Sequence, residues 1–396
     1  MPLSTATTTE YSYGTAKGWR IFLYLLVPPL IVVMLILPFL MTEEGWNGIT
    51  IGFGILGWGL ALFFVYGLVE TYKARHIFSE QSIRYKGALR RKELPLEAVR
   101  GYRADDKYTY IVPVSNAYPS IRIGYTSEGY KEIQLWLAER FPNLDVQQQE
   151  LEAQEILQDE TLGRSVPERE EKLAQARQVA RVLNTLAWAV AAWLFFYPKP
   201  YDVAVQASLG LPPVAALALL WYQGLLRADE RKDSAYPALG SALFIPAVAL
   251  MLRVLLDFEL LDYSAAWQLA AAVAVLFGGV LAYGNRRFIK LPASRWGAVA
   301  TVFFCALVYG YSAVVAINCV FDEATPRVYA ANVISKHISS GKTTTYYLKV
   351  GAWGPRTAPE DVTVTEETYD QTMPGDSVRV YQFPGRLAMP WFTVSE

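Results

Sequence analysis

The chain has 396 residues, of which 53% are hydrophobic and 18% are charged, and its formal net charge is −1. A chain of this length can hold two or three folded units. The balanced charge gives no bulk attraction to nucleic acid, so we expect no nucleic-acid partner. The high apolar content directs attention instead to long uncharged runs, because about 20 apolar residues in a helix cross a bilayer.

Seven apolar runs predict an α-helical transmembrane bundle. The first is too long for a signal peptide, and no small-residue cleavage site follows it. The third is the weakest, because it is short and contains Asn184; the adjoining helix could lengthen it, or it could pair with the next run. The runs are 21–41, 49–69, 182–197, 203–226, 235–252, 265–283 and 296–320.

The runs divide the chain into six parts. They are an N-terminal tail (1–20), spans one and two (21–70), a soluble insert (71–145), a charged helical connector (146–181), spans three to seven (182–320) and a C-terminal tail (321–396).

The insert has the pattern of a sheet capped by one helix. Short runs at 74–78, 82–86, 108–114 and 121–125 are rich in β-branched and aromatic residues and are bounded by turn residues. After Gly129, an amphipathic helix presents an apolar face. That face consists of Ile133, Trp136, Leu137 and Phe141.

The insert resembles a known family. The segment HIFSEQSIRYKGALRRKELPLEAVRGYR, followed by strands and a helix ending in LAERFP, is similar to the bacterial pleckstrin-homology-like domains, which are often joined to membrane spans. The resemblance implies a cytosolic α+β domain whose curled sheet is closed by a C-terminal helix. It also implies binding or assembly rather than catalysis. The rest of the chain resembles bacterial membrane proteins of uncharacterised function.

The densest basic cluster of the insert is a candidate contact for anionic lipid headgroups. It comprises Lys86, at the end of the 82–86 run, and Arg90, Arg91 and Lys92, toward which a turn opens at Gly87. Basic residues near a membrane surface contribute about 1 kcal/mol each. The alternative is a solvated turn that only reinforces the topology.

The connector is acidic and begins its main helix at a capping box, Ser165 to Glu168, with Pro167 in the first turn. We expect this helix to continue into the third span. The acidic surface is either a solvated helical face or a surface that docks on the basic part of the insert or on a partner.

Glycines in the second span form two motifs. Gly52, Gly54 and Gly57 match G-x-G-x-x-G, but they lie inside an uncharged run, whereas a dinucleotide fingerprint follows a strand and opens a soluble helix. Gly48 and Gly52 also form G-x-x-x-G, which predicts close helix packing.

The sequence offers no catalytic constellation, and we expect neither a metal nor a cofactor. The two cysteines, Cys305 and Cys319, fall in the last span, and the two histidines, His76 and His337, fall on opposite sides of the predicted membrane. No span carries an ionisable residue at mid-depth, which argues against an ion-coupled pump. The acidic loop at 257–262 has apolar neighbours and predicts a short interfacial helix.

The tail predicts an all-β domain. Strand patterns at 327–335, 343–350, 361–364, 377–382 and 391–394, with turns at 339–342 and 374–376, suggest a small barrel of the OB or SH3-like kind that folds independently. Trp353 and Trp391 are expected to fill its interior rather than to form an exposed aromatic patch.

The favoured function is that of a non-enzymatic integral protein of the bacterial inner membrane, with an assembly, scaffold or sensing role. A transporter or channel component is the alternative, and a lipid-acting membrane enzyme is the second alternative. Expected partners are the bilayer, anionic headgroups and a protein partner or a second copy.

Orientation gives the first testable prediction. Lys and Arg concentrate in alternate short loops, so the N-terminus and the insert should be cytosolic and the tail extracytoplasmic. A reporter that fluoresces only in the cytosol, fused after Glu396, should remain dark, while the same reporter inserted in the 227–232 loop should fluoresce. Bright fluorescence at Glu396 would indicate a wrong number of spans.

Overall fold

The computed structural model describes residues 10–40, 48–222, 224–291, 295–340 and 344–395. The α-helices of these ranges are α1 (Lys17–Leu40), α2 (Gly48–Lys73), α3 (Tyr130–Arg140), α4 (Leu144–Gln158), α5 (Val166–Phe196), α6 (Tyr201–Trp221), α7 (Gly240–Asp257), α8 (Ser264–Gly284), α9 (Arg286–Lys290), α10 (Arg295–Val320) and α11 (Glu366–Gln371). The strands are β1 (Tyr11–Tyr13), β2 (Arg75–Phe78), β3 (Ser82–Lys86), β4 (Arg91–Pro95), β5 (Val99–Ala104), β6 (Tyr108–Pro113), β7 (Ile121–Gly124), β8 (Glu259–Leu260), β9 (Arg327–Ser340), β10 (Thr344–Val350), β11 (Glu360–Val364), β12 (Ser377–Phe383) and β13 (Trp391–Ser395).

Seven of these helices, α1, α2, α5, α6, α7, α8 and α10, are long and apolar enough to cross a membrane. The weakest predicted span is the end of the 31-residue helix α5. Ser165 caps this helix by accepting a hydrogen bond from the Glu168 N–H at 3.4 Å. Asn184 is satisfied by α7 and by the segment just before it, because its amide donates to the Ala238 carbonyl and accepts from the Ala242 N–H. The predicted continuation of the connector into the third span is therefore confirmed.

The chain divides into two compact units, residues 1–152 with 232–235, and residues 153–231 with 236–396. In the first unit, α1 and α2 form a helical hairpin. The two helices lie close together at Gly57, where a Cβ atom would lie 2.9 Å from the Met34 carbonyl oxygen. Among the described residues, no atom lies within 4 Å of a Cβ atom placed at Gly48 or Gly52, so packing through their motif remains a prediction.

The insert domain, which we define as β1 to β7 with α3, contains two antiparallel sheets of order β1-β2-β3-β4 and β5-β6-β7. Helix α3 covers the core with Ile133 and Leu137, which are at most 1% exposed, while Trp136 and Phe141 pack against it from the side. The predicted apolar face of this helix is confirmed. The sequence patterns missed β1, β4 and β5.

Strand β1 joins the start of the first span to the insert domain. Tyr11 to Tyr13 pair with Phe78 to His76 of β2, and β2 directly follows α2. Further along, the Ala16 N–H donates to the Thr126 carbonyl at 2.8 Å, and the Glu128 N–H donates to the Gly14 carbonyl at 2.7 Å. Both spans of the helical hairpin therefore enter the domain through hydrogen-bonded segments.

Residues 232–235 also belong to the first unit. The buried Asp233 accepts a hydrogen bond from Arg103 at 2.9 Å, and Glu152 accepts from the Ser234 hydroxyl at 2.6 Å. Arg103 lies 3.5 Å from Asp145 as well, so one residue of the acidic stretch contacts the basic part of the insert.

The second unit contains α5 to α10 and the tail. Helix α10 lies at the centre of the helical part, packing mainly against α8 and α7, and it contributes both cysteines to buried positions. At one end of the helices, Arg227 is 1% exposed, pairs with Asp229 at 2.7 Å and lies 4.7 Å from the Phe288 ring centroid.

The tail forms a curled half-barrel rather than a barrel closed by its own five strands. Its six-stranded sheet has the order β11-β10-β9-β12-β13-β8. The long strand β9 pairs with β12 through 327–332 and with β10 through 333–340, which lets the sheet bend. One face is buried, because Ala331 and Val333 are 2% exposed, whereas Val328 and Ile334 on the other face are at least half exposed.

The sixth strand, β8, corrects a prediction. It lies in the loop that was expected to form a short interfacial helix, and it pairs with β13 at Trp391 and Phe392. Two residues hydrogen-bonded to the edge of β13 are more stable than an isolated helical turn would be in this loop, because a helix that short is not stable alone. The predicted hairpin turn at 339–342 lies partly outside the described residues. Trp353 is 3% exposed and packs in the core of the tail sheet against Phe392, as predicted. The prediction for Trp391 is wrong, because this side chain is 9% exposed but belongs to the apolar cluster of the helices, where it packs against Phe258 and Phe383.

The tail is attached to the end of α10 by a buried amide. Asn318 is fully buried; it donates to the Met389 carbonyl at 2.8 Å and accepts from the Leu387 and Met389 N–H groups at 3.0 and 3.4 Å. Asp322 accepts from the Trp391 indole N–H at 3.1 Å. Independent folding of the tail stays a prediction, since these contacts place it in one compact unit with the helices.

We predict that Asn318→Leu destabilises this unit, because it leaves the N–H and carbonyl groups of the buried Met389 without the amide as partner, at about 1–3 kcal/mol for each. Thermal unfolding of the full chain in detergent, together with proteolysis within 384–390, measures the effect. Asn332→Leu is the matched control, since Asn332 is exposed on the same tail. Equal melting temperatures for the two variants would contradict the anchoring role.

Candidate functional site

The basic cluster lies on a hairpin, which we call the basic hairpin, formed by β3, the turn 87–90 and β4. The Gly87 N–H donates to the Arg90 carbonyl at 2.8 Å and closes the turn. Only Arg90 is in the turn; Arg91 and Lys92 belong to β4, a strand that the sequence patterns missed. This edge strand buries only Leu94 fully, so its sequence lacks the alternation that identifies a strand.

Arg75, Lys86 and Arg91 form a row across β2, β3 and β4. Lys86 is paired with Arg75 on one side and with Arg91 on the other. Lys86, Arg90 and Arg91 are exposed. Lys92 is half-buried, and its ammonium donates to the Ser120 carbonyl at 2.7 Å, so it is held by the protein itself. The structure therefore brings together three of the four predicted contacts on an open surface.

Glu70 holds the basic hairpin against the last turn of α2. One carboxylate oxygen accepts the Ala88 N–H at 2.6 Å, and the other accepts the hydroxyl proton of Tyr85. Gly87 permits this approach, because a Cβ atom there would lie 2.8 Å from the Tyr85 hydroxyl oxygen and still closer to Glu70. The tip of the hairpin is thus placed beside the end of an apolar helix.

Aromatic and basic side chains mark the level at which the apolar helices end. Trp19, in the first turn of α1, packs edge-on against Tyr125 of the insert domain at 5.7 Å between ring centroids. Arg75 donates to the Tyr72 carbonyl of the last turn of α2 at 3.1 Å and to the Ala74 carbonyl just after it at 2.9 Å. Trp and Tyr are enriched at membrane–water interfaces, and Lys and Arg are enriched in the cytosolic loops beside the spans.

Glu70 can accept a hydrogen bond from Tyr85 because the Tyr85 hydroxyl stays protonated. Burial and the hydrogen bond to Glu70 raise the pKa of Tyr85 well above its usual value, so Tyr85 remains a neutral donor. His76, opposite Tyr85 in the sheet, is buried, and burial lowers its pKa although its Nε2 atom lies 3.2 Å from the Arg122 carbonyl oxygen.

Two residues of the site escaped sequence analysis. Glu70 is the first charged residue after the second apolar run, and Leu89 is an apolar residue at the tip of a basic turn. The sequence could have singled out Glu70, because a carboxylate at the end of a span needs hydrogen-bond partners there. Elsewhere in the described ranges, no group of three or more His, Cys, Asp and Glu side chains has the arrangement of a metal site.

Comparisons with protein-family models, with curated proteins and with solved structures find no match for this chain. The contacts of the basic hairpin are therefore the basis for the functional proposal.

The buried histidine gives a pH prediction. Because the pKa of native His76 lies below its unfolded value of about 6.5, the unfolded chain binds more protons below that pH. The insert domain should lose stability as the pH falls through that value. Protection factors of the β2 and β3 amides in the full chain, which correct for the slower intrinsic exchange at lower pH, should fall less on acidification in His76→Gln than in the parent. His337→Gln, at an exposed position, should leave the fall in protection unchanged. If His76→Gln and the parent respond alike, burial of neutral His76 is not the cause.

Proposed function

We propose that this chain is a non-enzymatic integral protein of the bacterial inner membrane, with an assembly or sensing role across the membrane. Its insert domain would lie on the cytosolic leaflet and contact anionic headgroups through the basic hairpin. The single observation that carries the proposal is the attachment of the hairpin tip to the end of α2 by Glu70.

The orientation is supported by charge. The loops after α2, α6 and α8 carry most of the Lys and Arg of the short connections, and such loops stay in the cytosol. With seven spans, the tail then lies outside the cytosol.

The architecture supports a pleckstrin-homology-like identity for the insert domain. Two small antiparallel sheets are followed by one helix that covers their core, as the resemblance implies. The curled six-stranded sheet of the tail supports a small-barrel relative of the OB kind, completed here by β8. Neither arrangement requires a bound substrate, and both suit binding surfaces.

The electrostatic contribution is modest but favourably placed. Three exposed cations near an anionic surface contribute about 1 kcal/mol each, and salt weakens them. A soluble protein with contacts of this strength would bind the membrane only weakly, because association costs translational and rotational freedom. A domain already joined to two spans has no such freedom left to lose. The same contacts therefore suffice to bias which lipids surround it.

We predict that anionic lipid protects the basic hairpin. The full chain would be placed in nanodiscs of phosphatidylcholine, with or without phosphatidylglycerol, and amide hydrogen exchange of residues 86–91 measured. Exchange should be slower with phosphatidylglycerol, and added salt should reduce the difference.

The triple variant Lys86→Ala, Arg90→Ala and Arg91→Ala should abolish the difference. A variant with the same loss of charge, Arg100→Ala, Lys107→Ala and Lys131→Ala, is the matched control, because these residues are exposed elsewhere on the insert domain. Equal exchange in the two lipids, or equal effects of the two variants, would count against headgroup contact.

A further inference from the structure

We infer that the basic hairpin does more than touch headgroups: Leu89 at its tip inserts into the boundary between headgroups and acyl chains of the cytosolic leaflet. This inference rests on the proposed function for the orientation of the insert domain. It adds an apolar membrane-binding residue to a site that was recognised only by its charge.

The exposure of Leu89 is unusual for a turn residue. Its side chain is 80% exposed, more than those of Val114 at 63% and Leu135 at 65%, the other highly exposed aliphatic residues of the insert domain. Turns on a protein surface are commonly built from Gly, Asn, Asp, Ser and Pro, whereas this one reads Gly-Ala-Leu-Arg. A large apolar side chain directed away from the domain gains nothing in water.

The position of the tip identifies the membrane as the occupant. The residue before Leu89 donates its N–H to Glu70, which is three residues before the end of α2. Leu89 is thereby tethered at the end of an apolar span, where the hydrocarbon layer gives way to headgroups.

The charges around Leu89 fit the same surface. Arg90 and Arg91 follow it, and Lys86 faces Arg91 across the hairpin. An apolar tip with a basic rim is the composition of segments that lie in an anionic interface, with the apolar side chain in the acyl boundary and the cations among the headgroups.

Depth measurement by electron paramagnetic resonance tests the inference on the full chain. Leu89→Cys would carry a spin label in a background with Cys305→Ala and Cys319→Ala, reconstituted in phosphatidylcholine nanodiscs with or without phosphatidylglycerol. Collision of the label with oxygen, which concentrates in the bilayer, is compared with collision with a water-soluble nickel chelate.

The matched control is Gln81→Cys. Gln81 is exposed in the turn at the opposite end of β3, so its label lies roughly 17 Å farther along the strand. We expect the oxygen-to-nickel collision ratio to be several-fold higher at position 89 than at position 81. Glu70→Ala, which removes the acceptor for Ala88 and Tyr85, should lower the ratio at position 89 towards that of the control.

A ratio at position 89 equal to that at position 81 would overturn insertion, and so would a label shielded from both reagents, which indicates a protein partner or a second copy. An unchanged ratio in Glu70→Ala would overturn the positioning role of Glu70. These failures are distinguishable from failure of the proposed function. Insertion without any effect of phosphatidylglycerol would remove only headgroup selectivity, and exchange protection without insertion would remove only the role of Leu89.

Discussion

The carboxylate of Glu70 is the interaction on which the arrangement of the first unit depends. A carboxylate at the end of an apolar helix is costly unless hydrogen bonds satisfy it. Glu70 obtains a backbone N–H from Ala88 and a hydroxyl from Tyr85, and both donors come from the same hairpin. Satisfying the charge and placing the hairpin are therefore one event. The absence of a side chain at Gly87 makes the approach possible, because a Cβ atom there would collide with both partners.

A second constraint acts on the same domain from the N-terminal side. Because β1 precedes α1 and pairs with β2, which follows α2, the two spans and the sheet are linked at both ends of the helical hairpin. A domain held by one flexible linker would sample many orientations. Strand pairing of the segment before α1 with the segment after α2 removes that freedom. The positions of Lys86, Leu89 and Arg91 relative to α2 follow from this rigidity, which the proposed contact with lipid headgroups requires.

In the second unit, the neutral amide of Asn318 satisfies buried backbone groups at a helix end. Asn318 lies at the end of α10, where helical carbonyls and the turn at 385–389 would otherwise be buried without partners. Its amide supplies one donor and one acceptor to that turn, in which Gly385 and Ala388 both have positive φ. Strand β8 then extends the tail sheet by two residues from a loop between two helices. The tail sheet is thus completed by residues that lie more than 130 positions before their partners in β13.

Local pattern determined much of this protein. The apolar runs located the seven membrane-length helices found in the described residues, because an uncharged stretch of this length forms a helix wherever it is buried in protein or lipid. The cap at Ser165, the apolar face of α3 and the strands of the tail were likewise readable, since each depends on residues close in sequence. Tertiary structure decided what depends on distant partners. Strands β1, β4 and β8 exist because a neighbouring edge accepts them, and the close approach of α1 and α2 occurs at Gly57 because Met34 faces it there. The sequence identified the charges of the basic hairpin. Only the fold placed them beside α2, because hydrogen bonds from Ala88 and Tyr85 to Glu70 join residues 15 and more positions apart, which no local pattern records.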